Sequence, residues 1–453
     1  MVRLKRILFM MVASSVISQT GLADTNGWTI LTEQDPTAAI THLQFVVRSG
    51  ALSDPADKPG LAYFTARALL RGTTTRPYQE LNHAIETLGA AISVDVDPTQ
   101  IVYNAAVLTK NLDNFLELLR DVFTQPAFSV TDVSLLQKIL FGELSASLQD
   151  VRTLASRAVM KTLYAKLPLE NPVEGTQAGI SNITPQDLLA FFQAHFVREN
   201  LVIGMTTPLS RSAAEAELKM KLDSIPHGVL DAPVLPQPTF KGIQAVIVDR
   251  KGTQTVPVFI ASPGVSDADP GILALETGNF VFGDDFTSRL MQVLRADNGW
   301  TYGAYSSYQQ LLKPSRQAGL FSSYMFPSAE FFGVAVSKAL SMFQEYGTQG
   351  ITADELKFAL NAQVNRYPFQ QDSAEKRIAQ DLRQLLTGRP NLTPAQYAAQ
   401  IGQLTLEQVN STIAQKTNVQ TLVIAAVGDA SVLQPVLAAL PNVKAVTVVP
   451  IQP

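Results

Sequence analysis

The sequence predicts an α+β protein made of two related halves. Strand-like and helix-like segments follow one another irregularly, which favours this class over the regular alternation of a doubly wound parallel sheet. A divergent internal repeat supplies the halves. Phe45–Gly72, FVVRSGALSDPADKPGLAYFTARALLRG, is answered by Val258–Gly283, VFIASPGVSDADPGILALETGNFVFG. Each reads as a strand, an Asp/Pro loop and a helix that opens on a glycine, Gly60 or Gly271. A second weak match follows in the same order, FSVTDVSLLQKIL (Phe128–Leu140) with ITADELKFALNAQ (Ile351–Gln363), and two ordered matches point to duplication.

Taken in order, the chain opens on a removable segment. Arg3, Lys5 and Arg6 form a basic start, Ile7–Ile17 an apolar stretch, and Gly21-Leu22-Ala23 a small-residue cleavage site. The apolar stretch is short for a bilayer span. The reading is a signal peptide over residues 1–23, with an uncleaved anchor as the alternative. Its loss turns 35 basic residues into 32 against 39 acidic ones, a net charge of −7. A mildly acidic chain without basic blocks gives no support for nucleic-acid binding. Zero cysteines exclude disulfides and a thiol nucleophile, which is compatible with a periplasmic location. No second long apolar segment appears, so no membrane span is expected after cleavage.

Strands are expected at Ile40–Val47, Ala91–Val96, Ile101–Leu108, Leu201–Met205, Gln244–Val248, Val256–Ala261, Gly303–Ser307 and Leu422–Val427. Helices are expected at Gly60–Thr73, Tyr78–Leu88, Leu112–Thr124, Val130–Leu148, Pro185–Ala194, Ser210–Leu222, Phe331–Tyr346 and Ala374–Thr387. The Pro-rich stretch Pro226–Phe240 reads as an extended linker between a first domain over 24–225 and a second over 241–453.

The chemistry turns on Gly60–Thr73. Residues four apart share a helix face, so Tyr63 and Arg67 project together with Ala66 beside them. Two histidines at that spacing with a neighbouring glutamate would hold zinc and activate water. Here a phenol, a guanidinium and a methyl stand instead. Ala66 and Arg67 cannot bind zinc, and Tyr63 alone is a poor ligand.

The frame Val47–Thr73, VRSGALSDPADKPGLAYFTARALLRGT, nevertheless closely resembles the signature region of the insulinase/pitrilysin-type zinc metallopeptidases. It is most similar to their short bacterial, mitochondrial-processing-peptidase-like branch, where the stretch reads roughly Gly-Leu-Ala-His-x-x-Glu-His. The resemblance covers nearly the whole chain after the signal segment. It implies two homologous domains, each a mostly antiparallel sheet packed with helices, facing each other like a clamshell around a chamber. It also implies that Glu143 matches the family's third zinc ligand. On the Val130–Leu148 helix Glu143 falls inside the apolar arc, near Leu136 and Ile139. A solvated glutamate at a helix edge is the plainer reading. If buried, Glu143 is expected to pair with Arg67, since a guanidinium can take a metal's place beside a carboxylate.

In the second half FGDDFTSRLMQVLR (Phe282–Arg295) and ADNGWTYGAYSSY (Ala296–Tyr308) resemble the family's second signature. Arg295 and Tyr302 match its Arg/Tyr pair, in which the tyrosine hydroxyl binds the developing oxyanion and the arginine positions substrate. The plainer reading is a helix-end arginine favoured by the dipole and a strand tyrosine packed beside Trp300. Gly89–Val96 matches the family's edge strand, along which substrate peptides add by strand pairing. The histidines are scattered: His83 with Glu86 reads as a helix-surface pair, His195 as packing, and His42 and His227 have no partner in sequence.

The resemblance therefore implies a zinc-less subunit, and the signal segment places it in the periplasm. A homologous partner subunit would supply the zinc, and this chain, holding no cofactor of its own, would supply Arg295 and Tyr302 for peptide hydrolysis. A peptide-binding or structural homologue is the first alternative, and a stand-alone hydrolase with an unrecognised site the second.

Overall fold

Two sheets carry the architecture of the computed structural model, which describes residues 24–230, 234–238, 241–308, 311 and 319–451. Residues 1–23, the expected signal segment, lie outside the described residues. The first sheet uses β1 (Thr29–Gln34), β2 (Ile40–Val47), β3 (Ala91–Val96), β4 (Ile101–Leu108) and β5 (Leu201–Thr207). The second uses β6 (Ile243–Asp249), β7 (Val258–Gly264), β8 (Thr301–Ser307), β9 (Gly319–Pro327), β10 (Leu422–Gly428) and β11 (Val443–Val449).

The strand order makes the duplication explicit. The first sheet runs β1-β5-β2-β4-β3, and the second repeats it as β6-β10-β7-β9-β8 with β11 added outside β6. The pairings match as well. β1 runs parallel to β5, and β6 parallel to β10, while the remaining equivalent pairs are antiparallel. The α+β class with mostly antiparallel sheets is what the sequence predicts. β3 and β8 are equivalent, and each is the last strand on its side of its sheet.

Burial patterns explain why these segments are strands. β4 alternates buried residues with half-buried or exposed ones, the period of a sheet with two unlike faces. β5 and β10 are buried at every position, so both of their faces must be covered. The second cover comes from the opposite half. The helix Val151–Leu163 lays Leu154, Ala155 and Val159 against Val248, Phe259, Val423 and Val427 of the second sheet. In return the helix Ala374–Thr387 lays Leu382 on Val46 and Val202 of the first. The approach is close at Gly204, where a Cβ would stand 2.7 Å from Leu382 Cδ1. Polar bonds reinforce the exchange: Arg377 Nε donates to Glu33 Oε1 at 2.7 Å, and His42 lies 3.4 Å from Glu375.

The Pro226–Phe240 stretch has neither helix nor strand among its described residues. It is held along its described length by contacts with its surroundings. Pro226 O accepts from the Arg198 amide at 2.9 Å, and Leu235 is buried beneath the second sheet.

Candidate functional site

The helix Leu61–Ala68 is set up by its own start. Gly60 sits at φ 100°, and a Cβ there would be 2.8 Å from Gly175 Cα, so the two glycines let the Glu174–Gly175 loop touch the helix entrance. Asp54 closes that entrance, its carboxylate accepting from the Gly60 and Ala62 amides at 2.7 Å each. Burial pushes its carboxyl up to about 7 in spite of these bonds. Beyond, the helix divides by face. Ala66 is wholly buried in the first-half core, and its carbonyl accepts from Tyr103 Oη at 2.8 Å. Tyr63 and Arg67 are half-buried on the other side.

Ser129 caps the second helix of the site, Val130–Ser147, by accepting from the Asp132 amide at 3.1 Å. This helix presents Glu143 to Arg67, and Arg67 Nη1 pairs with Glu143 Oε2 and lies 3.3 Å from Tyr63 Oη. Burial opposes the Arg67 charge, but Glu143 and Tyr63 outweigh it and hold the guanidinium above its ordinary value. Burial likewise pushes the Tyr63 phenol up, although Arg67 works against it.

The pair expected from the sequence is thus present, with one correction. The buried stripe of this helix is Val133, Leu136, Leu140 and Leu144, and the Glu143 side chain is 46% exposed at its rim. Glu143 lies beside the apolar arc rather than inside it. An ion pair open to water on one side contributes much less than a buried one. Arg67→Ala is therefore expected to cost about 1 kcal/mol or less in urea unfolding, instead of the several kcal/mol of an orphaned buried charge. Arg67→Ala combined with Glu143→Leu should lie close to the wild type.

Beside the pair opens a cavity of about 230 Å³, walled by Tyr63, Glu143, Ser147, Thr153, Arg157 and Glu174. Arg157 and Glu174 lie 3.6 Å apart. Among the described residues no three His, Cys, Asp or Glu side chains gather in a way that could hold a metal ion. A guanidinium at one ligand position and a core-facing methyl at the base position do not fit zinc, and no step through a metal in this chain follows.

The second half brings its expected pair together. Arg295 lies in a π-helical stretch, Met291–Asp297, a rare geometry frequent at functional sites. Tyr302 lies on β8 where the register with β9 slips between Thr301 and Ala304. This bulge turns its ring outward, 74% exposed. The Arg295 Cζ stands over the Tyr302 ring, 4.9 Å from its centroid. Tyr302 is exposed rather than packed away beside Trp300.

Arg289, of the Ser288-Arg289-Leu290 segment, buttresses this region. Its guanidinium donates to both Glu355 carboxylate oxygens, at 2.7 and 2.6 Å, and to Gly350 O at 3.1 Å. Glu355 also closes a capping box with Thr352. Burial opposes the Glu355 charge, but Arg289 and Thr352 prevail and bring its carboxyl down to about 2. The unfolded chain takes up this proton near 4.5, so the stability Glu355 contributes is complete above that pH and lost as pH falls toward 2. Glu355→Gln should cost about 1–3 kcal/mol at neutral pH and flatten the fall in melting temperature across that acid window.

Three features escaped the sequence. Arg157 and Glu174 join the cavity wall through a helix and a loop that no motif marks. Phe286 lies against Arg295, its ring centroid 4.9 Å from Cζ, from a turn nine residues earlier. His42 and His227 have partners after all: Glu375 for the first, and Glu199 at 2.7 Å for the second. His195 packs on Phe191 as expected, ring centroids 4.3 Å apart.

With this geometry in view, comparison with known proteins is informative. Residues 29–177 match the family model described as insulinase (peptidase family M16), and residues 182–363 match the peptidase M16 inactive domain. The chain belongs to the insulinase-type peptidase family. A non-peptidase homolog, YmxG, from Helicobacter pylori is 24% identical over 394 residues, covering 86% of this chain and 88% of that protein. The fold matches a peptidase M16 inactive domain from Pseudomonas fluorescens with TM-score 0.81 at 24% identity, covering 90% of this chain and 97% of the other. It also matches the first half of the periplasmic protease PqqL from Escherichia coli, TM-score 0.74 at 15% identity, covering 91% and 92% of the two chains. In this chain the family's zinc motif has degenerated, with Tyr63, Ala66 and Arg67 at its three positions.

Proposed function

We propose that this chain is the zinc-less subunit of a periplasmic insulinase-type peptidase. A homologous partner subunit supplies the zinc, the glutamate base and the water. The observation that carries this reading is the contrast between the two halves. At the metal position Arg67 and Glu143 neutralise each other, whereas a half-buried Arg295 and an exposed Tyr302 stand together in a bulged and π-helical setting. Donors aimed at a developing negative charge are what an oxyanion needs from the opposite side of a peptide. The edge strand β3, with its outer side unpaired in the sheet, offers backbone groups on which an extended peptide adds as a further strand.

The signal-like residues 1–23 and the likeness to a periplasmic protease support the location. Among the described residues no helix is long and apolar enough to cross a membrane. The domains 24–225 and 241–453 are proposed as the two halves, with the helices Val151–Leu163 and Ala374–Thr387 exchanged between them.

A second reading, a peptide-binding homologue without part in catalysis, is favoured by the description of the Helicobacter relative as a non-peptidase homolog. Purification of the native protein with its associated chains separates the two. The expected result is a complex with zinc in the partner alone and peptidase activity only when both chains are present. Chelator-sensitive cleavage by this chain on its own would sink the proposal, and so would its isolation without a zinc-bearing homologue.

A further inference from the structure

Phe286 leaves 66% of its surface open. A single exposed apolar residue needs no explanation, but the placing of this one does. It follows the π-helical stretch Phe280–Asp284 and puts its ring beneath the Arg295 guanidinium, at the same 4.9 Å that separates Arg295 from Tyr302. Among the described residues no carboxylate pairs with Arg295. Asp297, two residues on, is taken by the Gln292 amide at 2.6 Å. The two rings are therefore what holds the guanidinium. An arginine loses much rotamer freedom when ordered, and its planar head can lie on aromatic faces while its N–H groups remain available to acceptors.

We propose that Phe286 is a positioning residue: with Tyr302 it holds Arg295 so that the guanidinium N–H groups meet the carbonyl oxygens of a bound peptide in one orientation. Three separate segments converge to do this. They are the turn carrying Phe286, the π-helical stretch carrying Arg295 and the bulge in β8 carrying Tyr302. Gly303 lies within the bulge, where a Cβ would stand 2.7 Å from the Tyr305 ring. The inference rests on the proposed function, because Phe286 can serve the peptide only through Arg295.

The test uses the complex purified with its zinc-bearing partner and the variants Phe286→Leu, Phe286→Tyr and Arg295→Ala. Leucine keeps apolar bulk and removes the ring face. Phe286→Leu is expected to raise KM roughly two- to tenfold with little change in kcat, Phe286→Tyr to restore it, and the effect to vanish in the Arg295→Ala background. In nitrogen-15-labelled isolated chain, the Arg295 Nε–H signal should be displaced by ring currents and return toward an ordinary position in Phe286→Leu. Loss of activity in Arg295→Ala with none in Phe286→Leu overturns this inference alone. Unchanged kinetics in Arg295→Ala, or absence of a zinc-bearing partner, overturns the proposed function and this inference with it. Dissociation of the complex by Phe286→Leu assigns the ring to the subunit contact and overturns the positioning role.

Discussion

Tyr302→Phe in the assembled peptidase should lower kcat roughly tenfold to a thousandfold, the range for removing one oxyanion donor. The substitution takes away a hydroxyl and nothing else. Tyr302 is largely exposed, and its ring keeps its contacts with Arg295 and with Phe326, whose centroid is 6.1 Å away. Surface changes of that kind alter stability by about half a kcal/mol or less, so a fall in turnover cannot be assigned to unfolding. A donor needed only when charge develops on the carbonyl lowers kcat and kcat/KM together. Arg295→Ala should add a rise in KM, since a group that positions the peptide contributes to its ground-state binding as well. The measurement is steady-state cleavage of one peptide by complexes of verified stoichiometry. Wild-type kinetics for both variants would reduce this chain to a scaffold.

What the sequence discloses and what it hides divides along physical lines. β2, β3 and β4 are bounded to the residue by alternation and by their flanking turns. Arg295 and Tyr302 are singled out by a matched frame rather than by any local preference, and neither the π turn nor the bulge is legible in it. β1, with the sequence TILTEQ, is invisible because it is polar and is held by parallel pairing with β5, a partner 173 positions later in register. β9 breaks its apolar run with Ser322 and Ser323, both buried, and β11 is an outer strand with half-exposed valines. The helix Val151–Leu163 follows the Val130–Ser147 helix after a short turn capped by Asp150, and its apolar face fits a sheet in the other half. Pattern reading assigns an apolar face to whatever core is near in sequence, so an exchanged helix defeats it. Glu143 shows the same weakness on a smaller scale. Helical projection brought it near Leu136 and Ile139, yet Ile139 is itself 36% exposed, and the true stripe lies one step round the helix.

The degenerate metal position should be recoverable as a binding site, though not as a catalyst. Tyr63→His with Arg67→His sets two imidazoles four residues apart on the half-buried face of the Leu61–Ala68 helix. The same change releases Glu143 from its ion pair and leaves it as the third ligand, with the neighbouring cavity open to a water as the fourth. The double variant is expected to retain stoichiometric zinc after dialysis, measured by elemental analysis. Zinc at a hundredfold excess over Kd should add about 2.7 kcal/mol to its stability, whereas the wild type should gain nothing. The sequence alone suggests adding Ala66→Glu to complete the motif, but Ala66 lies in the core with its carbonyl held by Tyr103. A carboxylate there is buried without a partner unless the helix shifts, so the triple variant should unfold more readily than the double and should not hydrolyse peptides. Glu143→Gln in the double variant replaces a charged ligand by a poor one. If that protein held zinc as tightly as its parent, Glu143 would not be part of the site, and the placing of Arg67 and Glu143 around a lost metal would be wrong.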